Sequence, residues 1–311
     1  MESQLISVIM PCYNAQAFVE QAVQSVLEQK HVSVELIAVD DGSDDDSPRL
    51  LESLATKYPQ QVKFFTQENQ GPYPARNFGL KQAKGNFIAF LDADDYWEKD
   101  CLSYLFTALE KQQADIAYCG WQNIGRKKGT EPYIPPIYEE GDISEAFLSN
   151  CPWPIHAALT RRSVLERVGG FSERYFTSMD YDLWLRLSAV THNIVQVGRV
   201  LAYYRWHDTG QISAVKWRQV LDSWRVRRDF IHNHPGCIKH INKTTSRRLR
   251  HQFLYQKAFE AYWQRDLISA QKLFRVLLWS GYWKPVELKY ILPSLLPEKI
   301  YFRLLNNSDG Q

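Results

Sequence analysis

The chain has 311 residues, 45% hydrophobic and 14% aromatic, which is enough to bury a large core and excludes an intrinsically disordered protein. Five scattered cysteines (Cys12, Cys101, Cys119, Cys151, Cys237) form no CxxC pair, and no window approaches the ~18 apolar residues of a membrane span, which argues against a disulfide scaffold and a transmembrane helix. The net charge of +2 conceals an asymmetry: residues 1–215 carry 19 Lys/Arg and 28 Asp/Glu (net −9), and residues 216–311 carry 18 and 7 (net +11).

Met1-Glu-Ser-Gln4 runs into a strand without a basic stretch, so no secretory leader is expected and a cytosolic protein follows. Leu5–Met10 reads as that strand, ended by Pro11. Asn14 is expected to cap a helix whose apolar residues fall at Phe18, Val19, Ala22, Val23, Val26 and Leu27. Glu35–Val39 is a second strand, ending in Asp40-Asp-Gly-Ser43. Ser47-Pro48 starts a second helix. Val62–Phe65 is a third strand. Asn69–Pro74 is a loop leading into a helix with Arg76 and Asn77, closed by Gly85.

Gly85–Asp95 holds the strongest chemical signal. Phe87–Leu91 is an apolar run that reads as a buried strand, and it stops at Asp92, Asp94 and Asp95. Carboxylates this close repel unless a cation sits among them, and hard oxygen ligands suit Mg²⁺ or Mn²⁺. An acidic turn is the competing reading of the same residues. A helix around Leu102–Leu109 and a strand at Asp115–Cys119 follow. Strands alternating with helices predict an α/β fold, a mainly parallel sheet with helices on both faces, and ligands beyond the carboxyl ends of its strands. Pro11–Asn14, Asp40–Ser43 and Asp92–Asp95 all lie at such ends.

The rhythm lapses at 122–150, where Arg126–Lys128 and Pro132–Pro136 read as a flexible surface excursion. It resumes with a helix near Arg162–Val168, stopped by Gly169-Gly170, and an aromatic-rich helix over Asp180–Leu187. Val195–Val197 and Val200–Arg205 read as a closing pair of strands. From Trp217 onward the pattern is helical, with Ala258, Tyr262, Ala270, Leu273, Phe274 and Leu277 spaced as a helical hairpin face.

In this order, Pro11-Cys-Tyr-Asn14, Asp40-Asp-Gly-Ser43, Asn69-Gln-Gly71 with Ala75–Gly79, Gly85–Asp95, Gly169-Gly-Phe171, Asp180–Arg186 and Tyr204-Arg-Trp-His207 resemble the family 2 glycosyltransferases, over roughly residues 5–215. The resemblance implies a GT-A catalytic domain at 1–215, followed by a basic helical region at 216–311. It implies a nucleotide site of Pro11, Tyr13, Asp41, Arg76 and Asp92, with Asp40 ordering the turn. It implies a metal (Mn²⁺ or Mg²⁺) held by Asp94 and His207, while Asp95 is only a helix-start charge. Asp180 is then the catalytic base, with Asp182 as competitor. The family writes Glu-Asp where this chain has Met179-Asp180, which puts in doubt the acceptor contact of the lost Glu. Trp184 and Arg186 read as structural. Trp153 and Trp206 are candidates for stacking on sugar rings.

The implied activity is inverting transfer from a nucleoside diphosphate sugar, UDP-linked, to a glycan or lipid-linked acceptor in polysaccharide or glycolipid assembly. A sugar nucleotidyltransferase would carry a Gly-rich phosphate loop after the first strand, where this chain has Pro-Cys-Tyr-Asn. A non-catalytic sugar-nucleotide-binding or membrane-associated scaffold is the other rival. The basic, aromatic tail reads either as a peripheral contact with the inner face of the plasma membrane or as a solvated cap or oligomer contact. No nucleic-acid module accompanies it.

Overall fold

A computed structural model describes residues 5–125, 129–207 and 216–307, without the side chains of 306 and 307. Arg126–Lys128 lie outside the described residues. The chain divides into two compact units, Met1–Gln211 and Ile212–Gln311.

The first unit alternates strands and helices: β1 (Leu5–Cys12), α1 (Val19–Leu27), β2 (Ser33–Asp40), α2 (Ser47–Lys57), β3 (Val62–Thr66), α3 (Pro72–Gln82), β4 (Phe87–Phe90), β5 (Tyr96–Trp97), α4 (Cys101–Gln112), β6 (Ile116–Ile124), α5 (Ile143–Ser149), β7 (Ala158–Arg161), α6 (Arg162–Val168), α7 (Met179–Ser188) and β8 (Ile194–Arg205). They build one eight-stranded sheet ordered β3-β2-β1-β4-β7-β6-β8-β5. The pairs β1/β2, β2/β3, β1/β4 and β6/β8 are parallel, while β4/β7, β6/β7 and β5/β8 are antiparallel. The expected α/β sheet is present, with its parallel strands concentrated in the half that ends in the polar motifs. Ile6 to Cys12 and Val34 to Asp40 are buried without interruption, the pattern of strands covered on both faces.

Several local expectations change. Pro11 does not end β1, which runs to Cys12. Ile9 carbonyl accepts Leu91 N on the β4 side and Cys12 carbonyl accepts Asp41 N on the β2 side. Pro11 therefore faces β4 just past the last paired residue, and its missing N–H costs no ladder bond. Asn14 is not a helix cap. It adopts φ +50°, and its Oδ1 accepts Asp44 N at 2.9 Å. Gly85 does not close α3, which stops at Gln82. Gly85 is required because a Cβ there would lie 2.4 Å from Leu5 carbonyl oxygen. Val195–Arg205 is one strand, not two, with register irregularities opposite Cys119–Trp121. Pro132–Pro136 is tied down: Tyr133 and Trp121 exchange two backbone hydrogen bonds, and Tyr118 Oη donates to Pro136 carbonyl.

The second unit is helical: α8 (Lys216–Asn233), α9 (Lys243–Trp263), α10 (Leu267–Ser280), α11 (Leu288–Ile291) and α12 (Glu298–Asn307). Ala258, Ala270, Leu273, Phe274 and Leu277 form its core with Leu254, Val220 and Leu221, and Tyr262 packs at the margin. Asn242 and Asp266 cap α9 and α10 through Thr245 N and Ser269 N. Among the described residues no helix is long and apolar enough to cross a membrane.

Candidate active site

The first two motifs fold onto each other at the ends of β1 and β2. Asp40 orders its own turn, accepting from Gly42 N, Ser43 N and, at 2.6 Å, Ser43 Oγ. Gly42 sits at φ +73°, a conformation that a side chain would strain. Asn14 N donates to Ser43 Oγ, so the loop bearing Tyr13 is fixed to this turn. Tyr13 is 49% exposed, whereas Pro11 is buried. Asp41 is buried, and its carboxylate accepts from Gln67 Nε2, Gln70 N and Gly71 N at 2.7–2.9 Å. It shapes the loop before α3.

From α3, Arg76 reaches under the rim. Its guanidinium is buried, pairs with Asp92, and lies 5.4 Å and 5.5 Å from the ring centres of Tyr73 and Phe171. Two motifs remote in sequence lock this arrangement. Asn77 Nδ2 donates to Phe171 carbonyl, and Phe171 N donates to Asn77 Oδ1, both at 2.9 Å. Gly170 permits the approach: its φ is +72°, and a Cβ would lie 2.8 Å from Asn77 Oδ1.

The end of β4 delivers the acidic cluster. One oxygen from each of Asp92, Asp94 and Asp95 lies within 4.8 Å of the others. Asp94 Oδ2 stands 2.9 Å from His207 Nε2. Burial, then the charge of Asp92, raise the Asp94 carboxyl above its ordinary range, with His207 opposing. Asp95 is not a helix-start charge. It is buried, its Oδ1 accepts Arg205 N at 2.8 Å, and its Oδ2 lies 3.1 Å from Nδ1 of the buried His156. Burial pushes Asp95 up to about 6, although His156 opposes this.

Asp180 occupies the first turn of α7, where the helix dipole favours a carboxylate, and its Oδ1 accepts Tyr181 N at 2.8 Å. Burial raises its carboxyl above the ordinary range, Tyr181 N–H and Arg76 oppose, and Asp92 adds to the rise. Asp182 is no competitor, because its carboxylate is bound by Arg186 at 2.7 Å. Trp184 is buried, and its Nε1 donates to Trp153 carbonyl. Trp153 is itself 1% exposed, which removes it as a sugar platform. Trp206 keeps partial exposure and donates from Nε1 to Asn123 Oδ1.

Tyr204 marks the convergence: after burial, the charges of Asp95, Asp92, Asp94 and Asp180 all raise its phenol. Four carboxylates from β4 and α7 therefore crowd one rim, with Arg76 and His207 among them. Oxygen ligands plus one imidazole, with a carboxyl held above its usual range by burial and then by like charge, suit a small divalent cation. Sequence reasoning missed His156. A lone histidine in an apolar stretch carries no motif, and only the fold brings it to Asp95.

The profile described as Glycosyl transferase family 2 matches residues 7–169. The chain is 29% identical over 244 residues to WfgD of Escherichia coli, described as a UDP-Glc:alpha-D-GlcNAc-diphosphoundecaprenol beta-1,3-glucosyltransferase, covering 78% of this chain and 92% of that one. It spans only 30–64% of the length of several other curated relatives, uncharacterized glycosyltransferases. Among solved structures, residues 1–349 of S. aureus TarS in complex with UDP-GlcNAc superpose with TM-score 0.64 at 19% identity, over 96% of this chain and 83% of that one. The mannosyltransferase PcManGT of Pyrobaculum calidifontis, in complex with GDP-Man and Mn²⁺, superposes with TM-score 0.62 at 19% identity, over 95% and 86%. Both share the fold, and with the family profile spanning more than half of its length, this chain belongs to glycosyl transferase family 2.

Proposed function

We propose that the chain transfers a sugar from a nucleoside diphosphate sugar, UDP-linked, to an acceptor hydroxyl, with inversion and with a divalent metal, in polysaccharide or glycolipid assembly. Residues 1–215 form the catalytic domain and 216–311 a basic helical region. The observation that carries this reading is the gathering on one rim of Asp92, Asp94 and His207 with a separate carboxylate, Asp180, through the shared partner Arg76. UDP is favoured because WfgD is named for UDP-Glc and TarS was solved with UDP-GlcNAc.

Tyr13 offers its exposed ring to the base, and Asp41 keeps lone pairs for the base N–H beyond its three protein donors. Arg76, oriented by Asp92, presents a multi-donor cation toward phosphate. Asp94 and His207 would hold the metal. Mn²⁺ or Mg²⁺ bound there would supply positive charge against the diphosphate of the leaving nucleoside diphosphate. Asp180 takes the acceptor proton as that oxygen attacks the anomeric carbon. Inversion rests on the family resemblance alone. The test is nucleoside diphosphate release from UDP-Glc, UDP-GlcNAc and GDP-Man, with Mn²⁺ and with EDTA. Release from a UDP donor that EDTA abolishes is expected. No turnover of any donor would favour a binding protein without catalysis.

Residues 216–311 are proposed to dock on an anionic membrane, where a lipid-linked acceptor resides. Support comes from the net +11 charge together with exposed Trp279 (84%), Trp263, Leu292, Leu295, Ile300 and Leu304. Flotation with phosphatidylglycerol vesicles, but not with phosphatidylcholine vesicles, is expected, reduced in Trp279→Ser. Equal recovery from both would sink the docking.

A further inference from the structure

His156 is fully buried on the turn Ile155–Ala157 that precedes β7, and no step above uses it. Its place is held from three sides. Trp97 Nε1 donates to its carbonyl at 2.7 Å, its ring lies parallel to Tyr204 at 5.7 Å and 9°, and its Nδ1 faces Asp95 Oδ2 at 3.1 Å. Asp95 stays within the acidic cluster while one of its oxygens faces His156. Its other oxygen accepts the main-chain N–H of Arg205, the last residue of β8. Arg205 in turn donates from Nε to Asp94 carbonyl at 2.9 Å and from Nη2 to Gln21 Oε1 at 2.7 Å. Two residues further along, His207 meets Asp94.

We propose that Asp95 and His156 are positioning residues for the metal site: the buried pair anchors the end of β8 to the acidic turn and thereby sets where His207 stands relative to Asp94. This rests on the reading of Asp94 and His207 as metal ligands. A buried polar pair is a weak device for stability alone, since apolar residues of similar volume often replace one without loss. The pair reaches the end of β8 through the Arg205 N–H and the Tyr204 ring, and His207 follows two residues later. Residues that orient ligands from behind are worth roughly 10–100-fold in metal affinity.

Mn²⁺ alone, titrated by electron paramagnetic resonance, tests this in the full chain. Parent protein binds it, and Asp94→Asn loses most of the affinity. His156→Ala and Asp95→Ala are expected to weaken binding by about tenfold or more. The ¹⁴N modulation from an imidazole, present in the parent and absent in His207→Ala, is expected to disappear from His156→Ala. Leu109→Ala, buried at the far end of α4, serves as the control: it lowers thermal stability and leaves Mn²⁺ affinity unchanged. Where the alanine variants do not fold, Asp95→Asn and His156→Gln carry the same readout. Unchanged or tighter binding with ¹⁴N modulation intact overturns the positioning role. Parent affinity in Asp94→Asn, or no binding by the parent, instead overturns the metal-site reading beneath it.

Discussion

Asp180, the base of the proposed reaction, is a carboxylate whose ionisation costs the fold stability. Its folded-state proton affinity is raised above the ordinary aspartate value, chiefly by burial. The ionised form is therefore disfavoured in the folded chain, a cost present above the folded pKa and absent below the unfolded one. Asp180→Asn is expected to raise the melting temperature by a few degrees at neutral pH, with the gain vanishing as pH falls below the ordinary aspartate range. A calorimetric pH series checks this, and a gain that grows toward acid would contradict the sign. Arg76 carries a different expectation. Arg76→Lys keeps the charge but loses the planar fork between Asp92 and the rings of Tyr73 and Phe171. It should weaken donor binding by about tenfold in a calorimetric titration with UDP. At this scale the motif residues were legible because their chemistry is written locally: an Asp-x-Asp at a strand end, a His after a late strand. Asp95 was misjudged and His156 passed over because their significance lies in a contact between remote segments.

Elements are held in place by close approaches that only glycine allows. Gly85 brings β4 beside β1, and its amide donates to Ser7 Oγ at 2.8 Å. Gly170 brings the loop before α7 onto α3. Gly85→Ala is expected to cost about 2–4 kcal/mol in urea unfolding, since backbone rather than a flexible side chain must yield. Gly170→Ala is expected to cost about 1–3 kcal/mol and, by loosening Phe171 against Arg76, to reduce donor affinity as well. Parent-like values for both would remove glycine packing from the account. The order of strands and helices was readable from hydrophobic period. Their ends were less so. Pro11 sits inside a strand because the neighbouring strand has already ended. Val195–Val197 and Val200–Arg205 read as two strands, but the pairing with β6 absorbs the irregularity within one strand. The two-residue β5 is too short for any periodic signal.

For the whole molecule, charge separates what the fold holds in one chain. The acidic body gathers four carboxylates at one rim, and the basic helical unit exposes apolar side chains such as Trp279 and Ile300. Fold class was legible over 5–215 because seven motifs occur in order. The helical region offered only amphipathic spacing, which predicts its core and leaves its exposed face open. The measurement that bears most directly on the central claim is kcat for sugar transfer from the preferred UDP-sugar, with Mn²⁺, by the parent chain and Asp180→Asn. A base at this position predicts a fall of about 100- to 10,000-fold with donor affinity retained. Turnover equal to that of the parent would contradict the account.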